Sequence, residues 1–108
     1  MSNKKHHSFI ITALLFSCTK PQKACFDFSP ANPTIATVVT LNATCSQNTY
    51  SFRWTFGDGS ADSTTHSATI THQYKTSGIY SVTLNAKRKD GVTLTKGNPT
   101  ETKTITVQ

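Results

Sequence analysis

The sequence has few hydrophobic residues and no apolar run long enough to cross a bilayer. Hydrophobic residues make up 35% of the 108 residues, and aromatic residues make up 9%. The most apolar stretch, SFIITALLF at 8–16, is far shorter than the roughly 20 residues that a membrane-spanning helix needs. A permanent transmembrane span is therefore not expected. Any folded core must be thin and built around a few large side chains.

The sequence also lacks the motifs of the common enzyme classes. It contains no phosphate-binding loop, no HExxH, no nucleophile elbow and no pair of catalytic carboxylates. Asp58, Ser60, Asp62, His66 and His72 supply the residue types of a hydrolase triad, but no spacing joins them into one. A β-sandwich of about 90 residues rarely encloses a deep cleft. We therefore expect a protein that is not an enzyme and needs no cofactor.

Leu and Glu are scarce, whereas Thr and Ser are abundant, which favours strands over helices. No segment after the N-terminus has the periodicity of an amphipathic helix. Short segments that alternate or are rich in β-branched residues are instead separated by polar turns. This pattern predicts an all-β, immunoglobulin-like antiparallel β-sandwich of about seven strands. The expected strands are 25–29, 37–45, 50–56, 68–74, 79–89 and 92–108, with a short edge strand within 57–67.

Two turn signals lie near the C-terminus. Asp90-Gly91 predicts a hairpin turn, and Pro99 places its part of the last strand on a sheet edge. The adjacent cluster Lys87-Arg88-Lys89 is the densest basic run outside the N-terminus, and it predicts a solvated hairpin tip. Nucleic acid is not an expected partner. A weak attraction to acidic glycans or anionic lipid headgroups remains open.

The N-terminus resembles the signal peptide of bacterial lipoproteins. A basic stretch, MSNKKHH, precedes the apolar run, and Leu15, Ser17 and Cys18 match the −3, −1 and lipidated positions of a lipobox. Phe16 at −2 is bulkier than usual. The resemblance implies a signal peptide at 1–17, a lipidated Cys18 with a short tether at 18–24, and a domain at 25–108. An ordinary secretory signal, or no processing, is the alternative.

Cleavage before Cys18 would leave nine basic residues against five acidic ones, because it removes Lys4 and Lys5 from the 11 basic residues. It would also leave Cys25 and Cys45 as the two other cysteines. In an oxidising compartment they can form a disulfide, and otherwise they are two reduced thiols. A metal site is not expected from them, because no CxxC motif or nearby His completes a ligand set.

Three positions fit an immunoglobulin-like core without its usual disulfide. Gly78-x-Tyr80-x-Val82 has the spacing of a tyrosine corner, with Val82 at the position of the second antibody cysteine. Trp54 matches the tryptophan that packs between the two sheets. Leu41 lies roughly where the first antibody cysteine would be.

Four blocks in register resemble the PKD (polycystic kidney disease) domain over about residues 25–108. Thr55 replaces the usual Asp, and the final hairpin is longer than is typical. PKD domains are commonly extracellular and mediate contacts in adhesins, proteases and glycan-degrading proteins. The blocks are Trp54-x-Phe56-Gly57-Asp58-Gly59-Ser60, His72-x-Tyr74, Gly78-x-Tyr80-x-Val82-x-Leu84 and Thr104-Ile105-Thr106-Val107.

The PKD resemblance implies a non-catalytic contact module, and the lipobox resemblance implies that it is lipid-anchored in a bacterial cell envelope, at the outer membrane or cell surface. Its expected partner is an envelope or extracellular protein, or a polysaccharide, and the domain is expected to be monomeric. The alternative is a structural spacer or accessory subunit of a larger envelope assembly, with no ligand of its own.

The motif residues are expected to be structural. Gly57 and Gly59 suit a tight turn, and Asp58 can accept hydrogen bonds from that turn's own amides. His72 and Tyr74 are expected to satisfy hydrogen bonds inside the sandwich. A calcium site at Asp58 and Asp62 is a minor alternative, since no calcium-loop spacing supports it.

Overall fold

A computed structural model of the chain describes residues 21–89 and 97–108. The signal segment, Cys18 and the expected Asp90-Gly91 turn lie outside these residues. No helix occurs within them, and nine strands do. The strands are β1 (Gln22–Lys23), β2 (Asp27–Ser29), β3 (Val39–Asn42), β4 (Ser51–Thr55), β5 (Ser63–Thr65), β6 (Thr69–His72), β7 (Gly78–Lys87), β8 (Gly97–Asn98) and β9 (Thr100–Val107).

Seven of these strands form two antiparallel sheets. One sheet has the order β2-β3-β6, and the other has the order β5-β4-β7-β9. The two-residue strands β1 and β8 pair with each other in parallel as a separate small sheet. In the part of the chain that the structure describes, no helix is long and apolar enough to cross a membrane.

The core lies between the two larger sheets because each strand buries alternate side chains. On β7, for example, Val82, Leu84 and Ala86 are buried while the residues between them are not. Trp54 on β4 is fully buried and meets the edge of the Phe26 ring, with the ring centroids 5.2 Å apart. The fourteen buried hydrophobic residues form one cluster: Ala24, Phe26, Val39, Leu41, Ala43, Phe52, Trp54, Phe56, Tyr74, Val82, Leu84, Ala86, Ile105 and Val107. The prediction of an all-β, immunoglobulin-like sandwich is confirmed.

The tyrosine corner forms at the start of β7. The Tyr80 hydroxyl donates to the carbonyl of Thr76 at 2.7 Å and also lies 2.7 Å from the Thr76 hydroxyl. Tyr80 is half-buried and packs on Tyr74, with ring centroids 4.3 Å apart. The phenol therefore ties the β6–β7 turn to the sandwich.

The expected tether at 18–24 is wrong at its C-terminal end. Gln22 pairs with Gly97 on β8, and both Gln22 and Ala24 are buried. Lys23 also exchanges two backbone hydrogen bonds with Gln47. The folded domain therefore begins at residue 22. The sequence concealed this because the segment is polar and is held by backbone pairing, which carries no hydrophobic signal.

Replacing Trp54 by Ala should lower the free energy of unfolding by about 3–5 kcal/mol, since the change empties the centre of the core. A loss of that size is a large part of the total stability of a small domain. Val38→Ala is the matched control, because Val38 is 53% exposed, and it should change stability by less than about 0.5 kcal/mol. Urea unfolding followed by circular dichroism measures both. A folded Trp54→Ala variant of unchanged stability would refute this core assignment.

Candidate functional site

Asp58 closes the turn that follows β4. Its Oδ1 accepts hydrogen bonds from the Ser60 backbone N–H at 3.0 Å and from the Ser60 hydroxyl at 2.5 Å. Gly57 and Gly59 have φ angles of 80° and 84°, in the region that favours glycine. A Cβ on Gly57 would also lie only 2.3 Å from the Ser81 carbonyl oxygen. The Gly-Asp-Gly segment is thus built for a turn packed tightly on β7.

The same carboxylate joins the two sheets. Asp58 Oδ2 lies 2.7 Å from Nε2 of His72 on β6, and the two side chains are each only 16% exposed. The His72 ring stacks on Phe56 with centroids 3.9 Å apart. Tyr74 places its ring edge-on to His72 and donates its hydroxyl to the Phe56 carbonyl at 2.9 Å. Asp58, His72 and Tyr74 therefore sit in one hydrogen-bonded aromatic cluster.

These contacts shift two pKa values. Partial burial raises the pKa of Asp58, but the hydrogen bonds from Ser60 and the contact with His72 outweigh it and lower the pKa to about 2. Burial raises the pKa of Tyr74 to about 12, and the negative charge of Asp58 adds to this effect. Asp58 is therefore a carboxylate, and Tyr74 a neutral phenol, throughout the physiological range.

The cluster does not have the order of a catalytic triad. In a triad the His lies between the carboxylate and the nucleophile, so that it can take the proton of the hydroxyl. Here Asp58 lies in the middle, and Ser60 bonds to it rather than to His72. His66 packs against Tyr50 instead, with ring centroids 4.8 Å apart. These residues therefore do not place a His next to the Ser60 hydroxyl as a triad requires.

The geometry gives no support to a metal site at the predicted residues. Asp62 accepts two hydrogen bonds from Arg53, at 2.7 and 3.1 Å, while Asp58 is bound by His72 and Ser60. Across residues 21–89 and 97–108, no group of three or more His, Cys, Asp and Glu side chains is placed to hold a metal ion.

A shallow pocket of about 390 Å³ lies beside the cluster. Its Tyr80 and Thr76 hydroxyls bond to each other, and the rings of Tyr80 and His72 already stack on Tyr74 and Phe56. The pocket therefore offers little open aromatic surface for a sugar ring. Its lining residues are Asp58, Gly59, Ser60, His72, Gln73, Lys75, Thr76 and Tyr80.

Cys25 and Cys45 lie just outside the paired strands β2 and β3. In the structure their sulfur atoms are bonded to each other, with the Cα atoms 5.4 Å apart. Ser46 supports the same junction, because its hydroxyl accepts from the Cys25 N–H at 3.0 Å and donates to the Cys25 carbonyl at 2.8 Å.

The outward side of β7 and β9 forms a surface that the sequence reasoning missed. Its side chains are small and uncharged, and most are exposed. Two of the hydroxyls, those of Thr83 and Thr102, lie 3.0 Å apart across the strands. The alternation of Thr from 100 to 106 was the available signal, since every second residue of a strand shares a face. We call this surface the hydroxyl face, and it consists of Ser81, Thr83, Thr100, Thr102, Thr104 and Thr106.

Fold and site together define an immunoglobulin-like β-sandwich in which the Gly57-Asp58-Gly59 turn packs against β7. The chain belongs to the PKD domain family, because the family model for the PKD domain matches residues 22–107. The predicted resemblance is confirmed, and the match begins at Gln22, the first residue of β1. No curated protein matches the chain.

A protein chain of known structure is also similar to the present chain. It comes from work on the structural basis for the promiscuous specificity of carbohydrate-binding modules from the β-sandwich superfamily. The identity is 33%, the TM-score is 0.70, and the match covers 82% of the present chain. The present chain spans only 35% of the length of that protein. As a class, a PKD domain is a non-catalytic contact module of extracellular proteins.

The low pKa of Asp58 predicts a specific acid dependence. A carboxyl whose pKa falls on folding stabilises the fold above its unfolded pKa, and this contribution is lost as the pH falls from about 4 to about 2. The loss should reach about 2 kcal/mol, and Asp58→Asn should abolish it. Asp62→Asn, which breaks a surface ion pair, should cost less than about 1 kcal/mol at pH 7. Urea unfolding between pH 2 and pH 7 tests this. An Asp58→Asn variant with an undiminished loss below pH 4 would contradict it.

Proposed function

We propose that the chain is a non-catalytic, lipid-anchored module of a bacterial cell envelope that binds a neutral polysaccharide through its hydroxyl face. The observation that carries this proposal is the family match over residues 22–107, which spans the whole sandwich. The contact function therefore belongs to the domain itself rather than to a neighbouring catalytic unit.

The hydroxyl face supports polysaccharide as the ligand. From Ile79 to Asn85 on β7, and from Thr100 to Thr106 on β9, every outward side chain is uncharged. Hydroxyl groups both donate and accept hydrogen bonds, so they match the hydroxyls of a neutral glycan without a cost for desolvating charges. The similar solved chain from work on carbohydrate-binding modules favours the same ligand class.

A protein partner that adds a strand is less favoured, because the long edge strand is partly covered. The Phe26 N–H donates to the Glu101 side chain at 2.8 Å on the inner side of β9. Near the end of β9, Gln108 exchanges backbone hydrogen bonds with Pro33 and Ile35. Strand addition needs a free row of backbone groups, and the backbone bonds of Gln108 occupy the C-terminal end of that row.

The proposed anchor is a lipid on Cys18. The intact mass of protein extracted from native membranes should equal that of residues 18–108 plus acyl chains. The mass should increase by two hydrogens on reduction, because the Cys25–Cys45 disulfide opens. A mass without acyl chains would refute the anchor, and an unchanged mass on reduction would refute the disulfide in the native protein.

Charge placed on the hydroxyl face should abolish glycan binding. Xylan, mannan and a mixed-linkage β-glucan are compared first, and the neutral glycan that binds the unmodified protein most tightly is used. Thr102→Glu with Thr104→Glu should weaken binding to this glycan by at least about tenfold, since each carboxylate must be desolvated. Thr69→Glu with Thr71→Glu places the same charges on exposed positions of the other sheet, and it should leave binding within about twofold. Affinity electrophoresis measures all of these proteins.

Two results would contradict the glycan proposal. Equal losses in the two double variants would show that the hydroxyl face is not the site. No binding to any glycan, together with stoichiometric recovery in one envelope assembly, would instead identify a structural spacer or accessory subunit.

A further inference from the structure

An ion pair borders the hydroxyl face on its β4 side. Arg53 and Thr55 point outward from β4, because Trp54 between them is buried in the core. Arg53 lies opposite Asn85 of β7, which in turn lies opposite Thr100 of β9. Adjacent strands are about 4.8 Å apart, so the backbone at Arg53 is roughly 10 Å from that at Thr100. The outward surface of the four-stranded sheet therefore continues from the hydroxyl face to Arg53.

Asp62 holds the guanidinium of Arg53 in one orientation. Its Oδ2 accepts from Nε at 3.1 Å and from Nη2 at 2.7 Å, so two of the five N–H donors of the guanidinium are used. Among residues 21–89 and 97–108, the other three donors and the Oδ1 atom of Asp62 have no hydrogen-bond partner. The pair therefore presents free donors and a free acceptor beside the hydroxyl face.

The Arg53–Asp62 pair is accessible to a ligand. The Arg53 side chain is 50% exposed and the Asp62 side chain is 33% exposed, and exposed ion pairs add little to the stability of a fold. Because each charge is already bonded to the other, a ligand can cover the pair without leaving an unpaired charge out of water. Contact with a ligand is therefore compatible with the geometry of the pair.

Two adjacent hydroxyls on a sugar ring match the free groups of the pair. A hydroxyl both accepts and donates hydrogen bonds, so one can accept from Arg53 while its neighbour donates to Asp62. Two adjacent hydroxyls make these contacts with separate oxygen atoms, whereas a lone hydroxyl must make both with one. Hydrogen bonds to charged groups are also roughly twice as strong as those between neutral groups. The pair therefore favours a sugar with adjacent free hydroxyls.

We propose that the Arg53–Asp62 pair selects, among the neutral glycans that bind the hydroxyl face, those with adjacent free hydroxyls along the chain. This role rests on the proposed function, since the pair can select only among glycans that the hydroxyl face binds. A β-1,4-linked glucan carries two adjacent free hydroxyls on every sugar. A β-1,3-linked glucan carries them only on its end sugars. The pair therefore selects the β-1,4 linkage.

The test uses the full chain and compares cellohexaose with laminarihexaose, which join the same six glucose units by β-1,4 and β-1,3 linkages. Isothermal titration calorimetry measures the two dissociation constants. The protein should bind cellohexaose at least about tenfold more tightly, the factor that one hydrogen bond to a charged group supplies. Arg53→Lys, which keeps the charge but loses the planar guanidinium, should weaken cellohexaose binding by about tenfold. Asp62→Asn should do the same, and both variants should leave laminarihexaose binding within about twofold.

Asp27→Asn is the matched control, because it breaks an ion pair between Asp27 on the other sheet and Lys103. A preference for cellohexaose that this control keeps and both test variants lose would support the proposal. Equal binding of the two hexaoses, or a preference that survives in both test variants, would overturn it. If Thr102→Glu with Thr104→Glu still abolished glycan binding in that case, the proposed function would stand without this selection. Failure to bind either hexaose or any of the neutral polysaccharides would overturn both proposals.

Discussion

The packing of Trp54 between the two sheets is the constraint on which the rest of this domain depends. Among residues 21–89 and 97–108, fourteen buried hydrophobic residues form the core, and its apolar contacts are concentrated around one large ring. Strand β4 holds Trp54 opposite Leu84 of β7, and the Phe26 ring meets it edge-on from outside that sheet. The alternation of β4 then fixes which residues face solvent and where the chain leaves for the Gly57-Asp58-Gly59 turn.

The two ends of the sandwich differ in chemistry because they close in different ways. The end with Asp58 is tied by the hydrogen bond between Asp58 and His72 and by stacked rings, so these polar groups bond to each other. The other end is closed by backbone pairing of Gln22–Lys23 with Gly97–Asn98. The glycine-flanked Asp58 thus bonds within the domain, to Ser60 and His72.

The sequence predicted the sandwich and the core face of β4, because the alternation of side chains is a local signal. It did not predict β1, since two polar residues held by a distant strand show no local pattern. It also missed the partner of Asp58. His72 lies fourteen residues away, and only the pairing of the sheets brings the two together. The spacing of Thr along β9 could have indicated the hydroxyl face, but the ordinary preference of Thr for strands explains the same spacing.

The pairing of the first strand with the eighth has a kinetic consequence. Gln22 meets Gly97, and Phe26 meets Glu101 seventy-five residues later. Contacts between residues so distant in sequence form slowly, and β-sandwiches fold in milliseconds to seconds for this reason. A growing chain therefore cannot complete this core until the residues of β9 have been made. The two sheets can close fully on each other only when both β1 and β9 are available.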